Sequence, residues 1–253
     1  MLAEEYCHLI DRIPDRDYVV RTLVHRENSG LPLMSADLVI AGKEARNLHP
    51  LADTYPLHFR KTYYPGRLHG DPEVEFNNQQ RASELIGVPP PIGHWPKGFR
   101  ACFYPGKAYS RLSPFGIEPQ EANIALARDL DLAHAVGLWK LLEEAFAKVQ
   151  SLHDGGLAHG DLELHNFIVC PAPLEVLIID FENAVTQEVA EPVWRAKCVA
   201  DLANLLREAV FLQCCLGQQS GALAEAALKH MDTLFTVPDR FRREIAFQAE
   251  MKV

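Results

Sequence analysis

The run His159-Gly160-Asp161-Leu162-Glu163-Leu164-His165-Asn166 precedes a short apolar stretch, Phe167-Ile168-Val169, and a second stretch, Val176-Leu177-Ile178-Ile179, ends on Asp180. Two β-branched runs with Pro171 and Pro173 between them predict a short hairpin. Asn166 leads into one strand and Asp180 ends the other, so both side chains converge at one end, beside Asp161. Hard divalent cations want oxygen ligands, and Asn166 and Asp180 can supply two while phosphate oxygens supply the rest. Asp161 can accept, or merely orient, the proton of an acceptor hydroxyl. Phosphoryl transfer asks little more of a protein than positioning and charge neutralisation.

That chemistry also needs a cation for the non-transferred phosphates, and the N-terminal half offers Lys61. It lies in Leu57-His58-Phe59-Arg60-Lys61-Thr62-Tyr63-Tyr64, which reads as a strand ended by Pro65-Gly66. Glu73 to Ile86 has helical spacing, with Phe76, Gln80 and Glu84 near one another, Leu85-Ile86 closing the apolar face, and Gly87-Val88-Pro89-Pro90-Pro91 as the stop. Glu75, near the helix start, can pair with Lys61, and Glu84 is the rival. Each also has a plainer reading: Lys61 as a surface lysine on an edge strand, Glu75 as an acid favoured in a first helical turn. Tyr18 to Val24 has strand character and Arg26 to Gly30 reads as a turn. Leu38-Val39-Ile40, a break at Gly42, and Ala45 to His49 as a return strand suggest a loop over phosphates. Gly42 is a single glycine, without the pattern of a P-loop. Phe99 to Tyr104 reads as a further strand.

The Pro/Gly-rich stretch Pro105–Pro119 divides a strand-rich half from a helix-rich half, giving an α+β chain with lobes at 1–104 and 105–253. In the second half, Glu121–His134, Leu138–His153, Asp201–Cys215, Ala222–Phe235 and Asp239–Val253 read as helices. Leu138, Leu141, Leu142, Ala145, Phe146, Val149 and Leu152 mark the apolar face of the second of these, and Gly155-Gly156 ends it.

The whole chain has 253 residues, is 48% hydrophobic and 23% charged, and carries a formal net charge of −9. That is an ordinary globular balance, and the negative charge argues against nucleic acid as a partner. No apolar run is long enough for a membrane span, which leaves only peripheral contact with a membrane. The N-terminus is acidic where a secretion signal wants positive charge. Six irregularly spaced cysteines, none in a C-x-x-C pair, suggest a reducing cytoplasm rather than a disulfide framework. Oligomeric state and the role of residues 1–35 have no sequence signal.

His159 to Asn166 resembles the catalytic loop of the protein-kinase-like superfamily, and Ile179-Asp180-Phe181-Glu182 resembles its metal-binding turn. Leu152 to His159 is similar to the end of the helix that feeds that loop, and the similarity runs from about Leu38 to about Leu216. The resemblance implies a bilobal fold, with a small antiparallel sheet in the N-lobe and a mainly helical C-lobe. It implies ATP and Mg2+ as cofactors, Asp161 as the catalytic aspartate, and Asn166 and Asp180 as metal ligands. Lys61 becomes the phosphate lysine, Glu75 its partner, and Gly42 a nucleotide-loop glycine. Asp201 resembles the aspartate that braces the catalytic loop from a long helix. His159 would tie that loop to the metal-binding turn, and His165 would touch substrate or support the loop.

Three departures narrow the expectation. Glu182 replaces the glycine of the turn, Glu163 stands where eukaryotic protein kinases usually have lysine, and only 21 positions separate Asp180 from Asp201. That leaves little room for a long activation segment. These features resemble aminoglycoside and choline phosphotransferases, the lipopolysaccharide core-sugar kinases and small atypical kinases with a glycine-poor loop. The pattern His159-Gly160-Asp161-Leu162…His165-Asn166-Phe167 with a short helical tail most resembles the bacterial lipopolysaccharide-kinase group. The implied acceptor is therefore a hydroxyl of a small molecule or glycan. The alternatives are a Ser/Thr protein hydroxyl, and a pseudokinase acting as a nucleotide-binding or scaffold module.

Overall fold

The computed structural model describes residues 15–26, 31–48, 57–64, 71–103, 107–108, 138–171 and 174–215, with short pieces beyond 215. Its contacts divide the chain into two units, Met1–Gly106 and Lys107–Val253.

The first unit is built on five strands: β1 (Tyr18–Arg26), β2 (Pro32–Ile40), β3 (Leu57–Tyr63), β4 (Pro91–Trp95) and β5 (Gly98–Cys102). They form one antiparallel sheet in the order β1-β2-β3-β5-β4. Paired residues share a face, and the register therefore sorts the polar groups. Asp37, Arg60 and Arg100 are in line on one face, Ala36, Lys61 and Phe99 on the other. A glycine at position 98 lets β5 lie close against β3, because a side chain there would run into the Lys61 carbonyl.

A four-residue helix, α1 (Lys43–Arg46), follows β2. The return strand expected over Ala45–His49 is therefore absent from the described residues 45–48. The strand β2 pairs antiparallel with β1; the turn expected at Arg26–Gly30 falls on residues 27–30, outside the described residues. Gly42 caps α1, its N–H donating to Asp17 Oδ1 at 3.1 Å. The four helical residues straddle the boundary between the polar break Ala41–Glu44 and the start of the expected return strand at Ala45.

The helix α2 (Pro72–Ile86) is defined at both ends. Asp71 caps it by accepting from the Glu73 N–H, Pro72 occupies its first turn, and Gly87 leaves it in the left-handed region at φ 67°. Its buried face is Glu75, Asn78, Gln79, Ala82 and Ile86. Gln80 and Glu84 meet as their spacing predicts, exposed and bonding each other, while Phe76 is half-buried. Polar residues share the buried stripe with Ala82 and Ile86, so apolar spacing marks only part of it. The strand β4 was also missed, since Pro91 begins it directly after the Pro-Pro stop.

The second unit holds α3 (Leu138–Asp154), whose Leu141, Leu142, Ala145, Val149 and Leu152 are all buried. Removing such a side chain from water is worth about 1.5–3 kcal/mol. A two-residue strand β6 (Lys107–Ala108) pairs with the hairpin β8 (Phe167–Pro171) and β9 (Leu174–Ile178), and β7 (Leu157–Ala158) pairs with β10 (Val185–Thr186). The helix α4 (Gln187–Cys215) begins well before Asp201; Ala190 breaks it at φ −153° and Pro192 lies just beyond. A proline suits a first helical turn, which is why the start was invisible to apolar spacing. The helix expected at Glu121–His134 and most of those beyond Ala222 lie outside the described residues. Among the described residues no helix is long and apolar enough to cross a membrane. The architecture is a bilobal one, an antiparallel sheet unit followed by a mainly helical unit.

Candidate active site

In the second unit, α3 delivers the chain through β7 into His159, and the loop that follows is held mostly by its backbone. Asp201, fully buried on α4, accepts from the His159 N–H through Oδ2 and the Gly160 N–H through Oδ1, both at 2.8 Å. His153 Nε2 lies 3.3 Å from the same carboxylate. Gly160 sits at φ 82°, where a side chain would collide with the Asn183 carbonyl and the Lys197 ammonium. The His159 ring bridges the two motifs. Its Nε2–H donates to the Ile179 carbonyl at 2.9 Å, and Nδ1 accepts the Asp161 N–H at 3.3 Å. These two contacts hold the ring in one orientation. The ring also packs on Phe181, centroids 4.9 Å apart.

Asn166 ends a 3-10 turn, Leu164–Asn166. Its amide Nδ2 donates to the Asp161 carbonyl at 2.8 Å, and its own carbonyl accepts from the Ile179 N–H at 2.9 Å. The two ends of the hairpin are thereby tied, with Asp161, Asn166 and Asp180 gathered at one end. Asp180 itself is at φ 69°, the left-handed region that non-glycine residues seldom adopt. Strain of this kind is held only where surrounding bonds impose it. Burial raises the Asp161 carboxyl above the usual carboxylate range, Glu163 adds to the rise, His159 and His165 oppose it, and Asp180 adds again. Glu163 Oε2 lies 3.2 Å from His165 Nδ1.

These donors fit a hard dication. With its NH2 committed to the Asp161 carbonyl, Asn166 keeps an amide oxygen as its donor atom, and Asp180 offers carboxylate oxygens. Carboxylate oxygens of Asp180 and Glu182 lie within 4.8 Å of one another. The acid at 182 was legible only as a departure from glycine, and its closeness to Asp180 was not.

In the first unit Lys61 is not a surface lysine. It is 2% exposed, and its ammonium lies 3.1 Å from Glu75 Oε1 and 3.2 Å from Oε2. Glu75 is 1% exposed. Tyr63, two residues along the same strand face, donates its hydroxyl to Glu75 Oε2. The opposite face carries a second ionic group. Arg60 donates to Asp37 at 2.7 Å, Thr22 also donates to Asp37, and Arg100 pairs with Asp17. Burial works against the Asp17 charge, yet Arg100, the Gly42 N–H and Arg60 outweigh it and hold its carboxyl below the usual range. A cavity of about 470 Å³ lined by Asp17, Gly42, Trp95 and Arg100 belongs to this face, and neither Lys61 nor Glu75 lines it. Gly42 packs against the Arg16 backbone rather than closing a hairpin.

No family model and no curated protein matches the chain. Solved structures do. The Rio2 kinase of Chaetomium thermophilum superposes with a TM-score of 0.50 at 14% identity, over 97% of this chain and 66% of that one. A Rio2 kinase-ADP/Mg2+-phosphoaspartate complex from the same organism gives 0.46 at 16% identity, over 98% and 74%. The chain thus spans just under two thirds of the first of these structures, and what that likeness shows is the fold alone, a bilobal one shared with the Rio2 kinase.

Proposed function

We propose that the chain is a Mg2+-dependent phosphotransferase that moves the γ-phosphate of ATP to a hydroxyl. The observation that carries this reading is the loop His159–Asn166. Asp201, His159 and Asn166 each spend a polar side-chain group on fixing backbone, and the carboxyl they leave positioned is that of Asp161. Asp161 would orient the acceptor hydroxyl and take up its proton, a task that suits a carboxyl raised above its ordinary range. Asn166 and Asp180 would hold Mg2+. The ion, when bound, neutralises charge on the phosphates. Lys61, oriented by Glu75, would hold the non-transferred phosphates. Gly42, packed behind the opposite face, has no part in the proposal.

The Rio2-like fold favours an atypical kinase with a protein hydroxyl as acceptor. A small-molecule or glycan hydroxyl is the second reading, favoured by Glu182 and by the brevity of the chain after the metal-binding turn. Only Ala184, Val185 and Thr186 separate the 3-10 turn Phe181–Asn183 from α4, and two of them are paired to β7.

The test is Mg2+-dependent ATP turnover by the full chain with protein, sugar and aminoalcohol acceptors in parallel. Wild type should transfer phosphate to one class and Asp161→Ala should not. Equal inactivity of both across the panel, with ADP still bound, would replace the enzyme by a nucleotide-binding scaffold.

A further inference from the structure

The lysine pair has a third member that neither the spacing of charges nor the proposed chemistry requires. Tyr63 shares the strand face of Lys61 and is 8% exposed. Its hydroxyl donates to Glu75 Oε2, the oxygen that also lies 3.2 Å from the ammonium. Its ring lies under the same ammonium, 5.2 Å from Nζ to the centroid. A phenylalanine would fill the same space. The hydroxyl is therefore explained by the carboxylate and not by packing.

We infer that Tyr63 is a positioning residue for the nucleotide: it fixes the Glu75 carboxylate through its hydroxyl and carries the Lys61 ammonium on its ring. The inference rests on the reading of Lys61 as the phosphate lysine. A carboxylate facing one ammonium in a dry site takes most of that cation's charge for itself. A phenol hydrogen bond to Oε2 supplies part of what the carboxylate demands, so more of the Lys61 charge is left for an anionic ligand. The bond also stops the carboxylate plane from turning about its last torsion, a broad and soft one. The ring face adds attraction for the ammonium without competing for its N–H groups. Burial holds the Tyr63 phenol well above its ordinary range, with Lys61 opposing and Glu75 reinforcing, so the hydroxyl stays a donor throughout the working pH range.

The experiment compares wild type, Tyr63→Phe, Tyr63→Leu, Glu75→Gln, the Tyr63→Phe/Glu75→Gln double variant and Lys61→Ala in the full chain. It reads Mg·ADP affinity by calorimetry, the KM for ATP and kcat at saturating acceptor, and the thermal midpoint without ligand. Tyr63→Phe should weaken ADP and raise the KM for ATP by about three- to tenfold, with kcat within about twofold. Tyr63→Leu should weaken ADP further. The Tyr63→Phe effect should shrink in the Glu75→Gln background, since the hydroxyl acts through that carboxylate. Unchanged affinity and KM in Tyr63→Phe, with only the midpoint lowered, would make Tyr63 a packing residue and overturn the inference. Full additivity with Glu75→Gln would do the same. If Lys61→Ala leaves ADP affinity intact, the phosphate-lysine reading falls and takes this one with it; loss in Lys61→Ala without loss in Tyr63→Phe sinks the inference alone.

Discussion

The lysine cluster and the Asp161 loop solve the same problem, holding a charged side chain in place, by opposite means. Lys61 is held by other side chains: a carboxylate and a phenol, all three buried. Asp161 is held by its backbone. Asp201 accepts two main-chain N–H groups, His159 accepts the Asp161 N–H, and Asn166 donates to the Asp161 carbonyl. The first arrangement couples position to charge, so changing one member changes the electrostatics of the rest. The second separates them, so the carboxyl of Asp161 can be altered while the loop stays put. Under the proposed function the two would have different needs, Lys61 as a cation holding phosphate and Asp161 as a carboxyl that takes up a proton. One must stay charged in a dry site, the other must be free to exchange a proton.

The sharpest way to break the comparison is at its backbone anchor. Asp201→Ala removes at once the acceptor of the buried His159 N–H and the part-buried Gly160 N–H and the partner of His153. Stranding them should cost about 3–5 kcal/mol, at the upper end for single substitutions. Urea unfolding should show the loss, and transfer activity should vanish with it. A variant that kept stability but lost activity would mean that Asp201 does something other than brace the loop.

Next in size is the lysine cluster. Glu75→Leu takes from a buried ammonium the carboxylate 3.1 Å away and should cost about 3–5 kcal/mol, because breaking a buried pair is worse than lacking it. The double variant Lys61→Met/Glu75→Leu replaces both charges with apolar groups of similar size. It should recover most of that stability while nucleotide binding stays lost. Such a recovery is what separates a cluster held by charge from a loop held by backbone. Equal instability of the single and double variants in urea titrations would erase the distinction.

How much of this could be read from the sequence differs between the two regions for the same reason. The hairpin β8–β9 and the apolar stripe of α3 announce themselves through β-branched runs, proline breaks and Leu/Val spacing. The loop that depends on them was accordingly found with Asp161, Asn166 and Asp180 at one end. In the first unit the decisive positions are polar and buried. Glu75, Asn78 and Gln79 face inward on α2 where a pattern reader looks for leucines, so Glu84 remained a rival until burial separated them. Tyr63 reads as one more strand aromatic, and nothing in its spacing says that its hydroxyl meets a carboxylate. Gly42 misled for a further reason. A lone glycine after a β-branched run signals a tight backbone approach, here to Arg16, but not which partner makes it necessary.

Asp161→Asn should have the smallest effect on stability, and its sign is informative. A carboxyl raised above its ordinary range binds a proton more readily in the folded chain than in the unfolded one. Its ionised form therefore opposes folding. The opposition is complete above the raised folded value, fades as pH falls from there to the unfolded value, and is gone below it, where both states are protonated. Asparagine carries no such charge. Urea midpoints should place Asp161→Asn at or above wild type near neutral pH, with the difference closing in acid, while kcat falls by about 10²- to 10⁴-fold if the carboxyl takes up the acceptor's proton. A variant destabilised at pH 7 would show that the carboxylate charge helps to hold the loop. The backbone bonds of Asp161 would then be insufficient, and the two regions would differ less than their geometry says.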